Sequence, residues 1–439
     1  MESAVDLDGG IGGVDEFVRG ESAANSKRHE LPNEGRTWRD IHAELVARKV
    51  NDYDWRSGRV PIYVYYDDED LLTVSREAYN LYFTENALGR RAFPSLAQME
   101  SDVIDISLEL FGAPAGADGS FTSGGTESIF LAMKTARDYF LTTSRIKPKV
   151  VAPRTAHPAF DKAAHYLQVD IERVGVDQDG RCDLDQLQDA LDKRVMMIVG
   201  SAPCYPYGVF DPIEELGGIA AARGLWLHVD ACLGGFLAPF ARRLGYEIPS
   251  FDFEIPGVSS LSADLHKFGF SARGASMVMY RTASLKAHQV FEFDNWPRGS
   301  YATETFLGSR PGGAIASAWG VMHYLGWSGY RKLAKKTMDA AVRLRSGLDQ
   351  VVGLEVHRPA ELNIVVYQAT DPRVDINAVA DVLLERGWFV GRMPAPPSVH
   401  LALNPVHAPI VESYLEDVAE AVASVRKSGR TGTHDDRTY

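Results

Sequence analysis

A histidine and a lysine, His266 and Lys267, stand together just after a strand-like run in the segment SADLHKFGF (262–270). An acid, Asp230, ends the apolar run LWLHV, where a buried carboxylate is costly unless it has a partner. A lysine can form a Schiff base with a carbonyl compound, and a carboxylate can hold a protonated ring nitrogen. Taken singly, each residue also has an ordinary interpretation: a surface charge for Lys267, and a helix cap or ion pair for Asp230.

A glycine pair, Gly124 and Gly125, precedes Thr126 and an apolar helix in FTSGGTESIFLAM (121–133). The N–H groups at such a helix start form an anion site. There is no Gly-Lys-Ser/Thr, which excludes a nucleoside-triphosphate loop. A further histidine, His157, follows the strand-like VVAP. An anion cradle, a ring-stacking face, an acid and a lysine are together what pyridoxal phosphate requires of a protein.

Alternating short apolar runs and amphipathic segments must position these residues. The strand-like runs 150–153, 196–203, 225–231 and 275–280 are separated by helical patterns, which predicts right-handed crossovers and a mostly parallel sheet. Such a sheet carries its active site beyond the carboxyl ends of its strands. From about Gly329 the pattern changes to a long helix and further strands near 363–368 and 399–404, closed by a helix near 409–426, which predicts a smaller α+β domain.

Composition narrows the class of protein. The 439 residues carry a formal net charge of −13, which argues against general binding to nucleic acid. Three cysteines without Cys-x-x-Cys spacing indicate neither a disulfide framework nor a metal site. The acidic N-terminus is not a signal peptide, and no apolar run approaches the roughly 20 residues of a membrane helix. We therefore expect a cytoplasmic protein without an integral membrane segment.

The sequence resembles the sphingosine-1-phosphate lyase family, in the group II decarboxylase branch of the fold-type-I enzymes that use pyridoxal 5'-phosphate. The resemblance runs from about Val64 to beyond residue 330, and the chain resembles the soluble bacterial members. It implies a large domain with a mostly parallel, seven-stranded sheet, a smaller C-terminal α+β domain, and a homodimer with shared active sites. The segments that carry it are TSGGTESIFLAMK, VAPRTAHPAFDKAA, PYGVFDP, LHVDACLGGF, SADLHKFGF and YATETFLGSRPGG.

The resemblance also implies roles for individual residues. Lys267 is the Schiff-base lysine, Asp230 pairs with the pyridine nitrogen, and His157 stacks on the ring. Tyr205 or Tyr65 is the expected proton carrier. The other cofactor-binding residues are Gly124, Gly125, Thr126, His266, Ser309 and Gly312. The expected substrate-binding residues are Tyr65, Asn86, Arg273 and Tyr301.

We expect five segments along the chain. They are a mobile arm (1–35), a segment contributing to the dimer and the substrate site (36–90), the large cofactor domain (91–328), the small C-terminal domain (329–427) and a mobile tail (428–439).

The implied reaction is the cleavage of a phosphorylated amino alcohol, such as sphingosine or sphinganine 1-phosphate, to a long-chain aldehyde and phosphoethanolamine. Several substrate-side positions depart from the family: Gly89 replaces a phosphate-binding histidine, and Arg273 replaces a lysine. Cys204 and Tyr207 likewise replace a glutamine and a histidine. Two alternatives stay open: a decarboxylase or aldolase acting on another amine or amino acid, and a non-catalytic binding protein.

Overall fold

The computed structural model describes residues 29–433, so most of the predicted arm and tail lies outside the described residues. The chain forms two compact units, Met1–Asp52 and Tyr53–Tyr439. The described part of the first unit contains helix α1 (Trp38–Arg48). The helix begins where Thr37 Oγ1 accepts a hydrogen bond from the Asp40 N–H at 3.2 Å, an N-cap that satisfies one of the free amides of the first turn.

The second unit is built around a seven-stranded sheet, with strand order β1-β7-β6-β5-β4-β2-β3. Neighbouring strands are parallel except on both sides of β7, which confirms the predicted mostly parallel sheet. Every residue of β4 is buried, as expected for a strand covered on both faces. The strands are β1 (Asp118–Thr122), β2 (Lys149–Pro153), β3 (Asp170–Val174), β4 (Val195–Ser201), β5 (Trp226–Asp230), β6 (Val258–Ala263) and β7 (Ser276–Tyr280).

Helices surround this sheet and connect its parallel strands. They bury apolar faces against it, as in α4, where Ile129, Leu131 and Met133 lie in the core. The helices up to this point are α2 (Glu69–Leu81), α3 (Pro94–Leu110), α4 (Gly125–Thr143), α5 (Ala159–Leu167), α6 (Leu184–Asp189), α7 (Ile213–Arg223), α8 (Ala238–Arg243) and α9 (Ala283–Lys286).

The long helix expected over 330–351 corresponds to the second part of α10 (Gly312–Leu348), which is broken at Gly326, where φ is 51°. Its first residues are glycine, alanine and serine, and the glycines are poor helix formers that gave no helical signal. The backbone packs closely there, because a Cβ on Gly313 would come within 2.8 Å of the Tyr79 ring. A two-stranded ribbon, β8 (Phe291–Phe293) and β9 (Tyr301–Thr303), precedes this helix.

The C-terminal part has the predicted α+β character. It contains a four-stranded antiparallel sheet with the order β10-β11-β13-β12. Trp388 and Tyr367 are fully buried in its core. The elements are β10 (Leu354–Val356), β11 (Ile364–Ala369), α11 (Ile376–Glu385), β12 (Gly391–Pro394), β13 (Pro397–Ala402) and α12 (Val411–Ser428). In the part of the chain that the structure describes, no helix is long and apolar enough to cross a membrane.

Candidate active site

A cavity of about 530 Å³ opens where the carboxyl ends of the central strands meet the start of helix α4. This is where a parallel sheet is expected to place an active site. The strand register brings Ser201, Asp230 and Ser262 side by side at the ends of β4, β5 and β6. The predicted site residues that line the cavity are Tyr65, Gly124, Gly125, Thr126, His157, Tyr205, Asp230, His266, Lys267 and Arg273.

The lysine of this cavity is held by a carboxylate that the sequence analysis missed. Lys267 Nζ lies 2.9 Å from Asp264 Oδ2, and only 2% of the Asp264 side chain is exposed. Burial alone would lower the pKa of Lys267, but Asp264, together with Tyr65 and Cys232, more than offsets burial and the pKa is raised. For Asp264, burial is outweighed by Lys267 and His266, so its pKa is lowered. The signal was an acid three residues before the lysine, directly after an apolar strand.

Buried hydroxyls fix Asp264 in place. The Ser276 hydroxyl donates to Asp264 Oδ1 at 2.5 Å, and Ser276 Oγ lies 2.8 Å from Ser128 Oγ. Thr122 continues the chain, with its Oγ1 2.6 Å from Ser128 Oγ. The chain joins β1, β7 and α4, so the carboxylate that holds the lysine is anchored to the sheet.

The acid that the sequence predicted, Asp230, ends β5 with 8% of its surface exposed. Its Oδ1 accepts hydrogen bonds from the Cys232 N–H at 3.0 Å and from the Ser262 hydroxyl at 3.4 Å. These donors hold a carboxylate at the edge of the cavity. A carboxylate there can stabilise a positive charge on a ligand, such as a protonated ring nitrogen.

The start of helix α4 forms the anion-binding end of the cavity. Helix α4 begins at Gly125, and the first N–H groups of a helix have no partner within it. A Cβ on Gly125 would come 2.7 Å from Cys232 Sγ and 3.0 Å from both Asp264 oxygens, so this close approach requires glycine. His266 Nδ1 accepts from the Ala275 N–H at 3.3 Å, which leaves its Nε2, 3.6 Å from Asp264 Oδ2, to carry a hydrogen.

His157 presents a neutral ring to the cavity. Its Nδ1 accepts from the Ala159 N–H at 3.1 Å, which fixes the ring. Burial lowers its pKa, although the Asp230 carboxylate opposes the shift. A neutral, fixed imidazole can stack on a flat ligand ring without placing a positive charge beneath it.

These residues fit pyridoxal phosphate. Ser201 Oγ supports this fit. It is buried in the cavity wall and has no hydrogen-bond partner among the described residues, so it can bond a ligand. An unpaired buried hydroxyl costs about 1–3 kcal/mol, so a ligand that supplies a partner there is favoured. Amides for a phosphate, a flat imidazole, a carboxylate and a lysine complete the set of groups.

Arg273 and three tyrosines, Tyr63, Tyr65 and Tyr205, also line the cavity. The Arg273 guanidinium donates to the carbonyls of Tyr63 and His266 and lies 5.6 Å from the centre of the Tyr65 ring. Tyr63, which the sequence analysis did not name, therefore belongs to the cavity wall. Tyr205 packs against His400, with ring centres 4.7 Å apart.

Four other predicted residues lie together outside this cavity. Asn86 Nδ2 donates to Ser309 Oγ at 3.0 Å, and the Gly312 N–H donates to the Glu85 carbonyl at 2.9 Å. The Tyr301 hydroxyl lies beside Gly308. We call Asn86, Tyr301, Ser309 and Gly312 the loop cluster. Within one chain, the structure does not bring the loop cluster to the cavity that holds Lys267.

A buried acid anchors the loop cluster. Glu100, with 3% of its side chain exposed, pairs with Arg310 and, at 3.2 Å, with Arg90. Arg90 neighbours Gly89, which replaces the histidine expected from the family. The Arg90 guanidinium therefore forms an ion pair with Glu100. The Glu100–Arg310 ion pair fixes Arg310, which is next to Ser309 in the sequence.

Known proteins place this chain in a family. The pyridoxal-dependent decarboxylase conserved domain matches residues 64–370. A sphingosine-1-phosphate lyase of Arabidopsis thaliana is 37% identical over 423 residues, covering 94% of this chain and 77% of that protein. A probable L-tyrosine/L-aspartate decarboxylase of Methanothermobacter thermautotrophicus is 34% identical over 357 residues, covering 80% of this chain and 94% of that protein.

A solved structure agrees with these relatives. The sphingosine-1-phosphate lyase of Burkholderia pseudomallei superposes with a TM-score of 0.87 at 35% identity, covering 92% of this chain and 95% of that chain. The fold and the site thus define a lyase of the fold-type-I class with pyridoxal phosphate as its cofactor. Within that class, the chain belongs to the sphingosine-1-phosphate lyase family.

Proposed function

We propose that this protein cleaves the carbon–carbon bond of a phosphorylated amino alcohol of the sphingosine 1-phosphate type. The products are a long-chain aldehyde and phosphoethanolamine. The observation that carries the proposal is the cavity that gathers Lys267, Asp230, His157 and the start of helix α4. The substrate class comes from the relatives named sphingosine-1-phosphate lyase.

Each residue of the cavity has a task in this reaction. Pyridoxal phosphate, when bound, would supply an electron sink for the bond that breaks. Lys267 would hold the cofactor through its amine. Asp230 would stabilise a positive charge on its ring nitrogen, and His157 would stack on its ring. The Gly124–Thr126 segment and His266 bind the cofactor phosphate.

The tyrosines and Arg273 act on the substrate. Tyr205 or Tyr65 removes the proton of the substrate hydroxyl next to the bond that breaks, or returns a proton to carbon; a phenol does this well when its local field lowers its pKa. The Arg273 guanidinium lies within the cavity and can grip the substrate phosphate with two N–H groups. It takes the place of a lysine in the family pattern.

We further propose a homodimer whose two active sites are shared between the protomers. The loop cluster supports this, because Ser309 and Gly312 are expected at the cofactor and Asn86 and Tyr301 at the substrate, yet all four lie apart from Lys267 of the same chain. A partner copy would complete the site with Asn86, Tyr301, Ser309 and Gly312. Exposed apolar side chains near them in sequence, including Phe83, Trp296 and Phe306, are typical of a surface that another protein covers.

The domain boundaries stay predictions. We propose that segment 36–90 serves the dimer and the substrate site, since Tyr65 lines the cavity and Asn86 bonds Ser309. The large domain then spans 91–328 and the small domain 329–427.

A decarboxylase is the second candidate. The Methanothermobacter relative favours it, and the Arg273 guanidinium could equally face a substrate carboxylate. The test is to incubate the purified holoenzyme with sphinganine 1-phosphate and with a panel of amino acids, measuring aldehyde and carbon dioxide together. We expect aldehyde and phosphoethanolamine from the first substrate. Carbon dioxide from an amino acid, with no aldehyde from the lipid, would establish the decarboxylase instead.

A further inference from the structure

A second cavity, of about 630 Å³, adjoins the active-site cavity. Tyr63, His157 and Tyr205 line both cavities, so the two share a wall. The second cavity lies between the segment that carries His157 and the C-terminal elements α11 and β12. Its volume is within the range of small-molecule sites.

The wall of the second cavity is chiefly apolar. Its apolar side chains include Ile62, Leu384, Phe389, Val390, Met393 and Pro394. Its charged side chains are Arg154, Arg392 and Asp381, of which Arg392 and Asp381 form an ion pair at 2.7 Å. The apolar part of this surface gains free energy when an apolar ligand excludes water from it.

Tyr63, in the wall shared by the two cavities, connects the polar active-site cavity with the apolar second cavity. Tyr63 has a φ of 63°, a left-handed conformation that is uncommon for a bulky residue. The Tyr63 carbonyl accepts a hydrogen bond from Arg273. The centre of the Tyr63 ring lies 6.2 Å from the centre of the Phe389 ring in the second cavity. Tyr63 thus contacts the proposed phosphate-binding arginine on one side and the apolar wall on the other.

We propose that the second cavity binds the hydrocarbon chain of the substrate. This inference rests on the proposed function, and it assigns the apolar part of that substrate to this part of the protein. Each methylene buried there contributes about 0.8 kcal/mol, which is about a fourfold gain in kcat/KM until the cavity is full. The protein should therefore prefer long-chain over short-chain homologues.

The experiment compares chain lengths and variants in the holoenzyme. Aldehyde formation is measured with sphinganine 1-phosphate and with a series of shorter-chain homologues. The same series is run on Leu384→Glu and Met393→Glu, each of which places a charge in the apolar wall. Val342→Glu is the matched control, because Val342 is 47% exposed and does not line the second cavity. Circular dichroism verifies that each variant is folded.

We expect kcat/KM in the wild type to rise about fourfold per methylene, mostly through KM. In Leu384→Glu and Met393→Glu the ratio of long-chain to short-chain kcat/KM should fall at least about tenfold, and in Val342→Glu it should not change. Aldehyde formation that is independent of chain length, or a ratio that both cavity variants preserve, overturns the inference and leaves the proposed function standing. No aldehyde from any homologue refutes the proposed function itself.

Discussion

The cofactor cavity and the loop cluster are built from different parts of the fold. Asp230 and Lys267 stand at or just after the ends of neighbouring strands, so the register of one sheet fixes them beside each other. Asn86 and Ser309 lie outside the regular strands and helices, and a hydrogen bond and the Glu100–Arg310 pair hold them. The sheet completes the first group within one chain. The second group has a fixed geometry of its own, and we propose that it acts at the cofactor cavity of a partner copy.

This difference indicates that the proposed chemistry is divided between residues held by the sheet and residues held on loops. Residues that bind a permanent cofactor gain from the rigidity of a buried sheet, since a misplacement of about 1 Å is costly in rate. Residues that meet a substrate can sit on loops held by a rigid scaffold. Of the substitutions relative to the family, Gly89 lies next to this second group in sequence, whereas Arg273 lines the cofactor cavity.

The largest expected effect comes from Lys267→Ala. If Lys267 carries the cofactor, the variant loses the covalent link and turnover falls at least roughly 10³-fold. The measurement is borohydride reduction followed by mass spectrometry of the peptide containing position 267, together with aldehyde release. Lys332→Ala, an exposed lysine of α10, is the control and should keep both signals. Normal cofactor absorbance and activity in Lys267→Ala would contradict the assignment.

Asp230→Ala should have the next largest effect. Without this carboxylate the ring nitrogen has no counter-charge, and we expect turnover to fall on the order of 10²–10³-fold. Weak cofactor binding should persist, because the anion end of the cavity is unchanged. Asp185→Ala, at an exposed first-turn position of α6, should leave turnover unaltered. Equal losses of cofactor and turnover would instead give Asp230 a purely structural role.

The cofactor side could be predicted from the sequence because Asp230 and His157 follow apolar runs, the glycine pair precedes an apolar helix, and Lys267 follows a strand-like run. The mostly parallel sheet follows from the same runs. Asp264 was missed because a buried acid three residues before Lys267 resembles the end of a strand until its partner is seen. The separation of Asn86 from Lys267 could not be predicted, since spacing along one chain does not tell which copy of the chain a side chain serves.

Mixed dimers test whether the loop cluster acts on the partner. We expect Lys267→Ala and Asn86→Ala to be inactive alone but, after random mixing, to recover about one quarter of the wild-type activity. Half of the dimers are then heterodimers, and each has one intact site. Mixing Lys267→Ala with Asp230→Ala is the control, because both residues line one cavity of one chain and no site is restored. Equal activity in both mixtures would show that the sites are not shared.

The smallest effect is a change of rate with pH in Asp264→Asn. The Asp264 carboxylate raises the pKa of Lys267, so its removal lets burial lower that pKa and leaves more neutral amine at a given pH. Added pyridoxal phosphate should then couple to the cofactor-free variant about tenfold faster at neutral pH, with the rate profile displaced to lower pH. The measurement is the growth of cofactor absorbance under stopped flow.

Asp67→Asn gives this last test its control. Asp67 pairs with Lys336, and its side chain is 9% exposed, but neither residue lines the cofactor cavity. Loss of an aspartate–lysine pair as such should therefore leave the coupling rate unchanged. A profile in Asp264→Asn that matches the wild type would mean that Asp264 only supports the fold around Lys267. A faster profile in Asp264→Asn alone would mean that this carboxylate keeps the lysine protonated until the cofactor arrives.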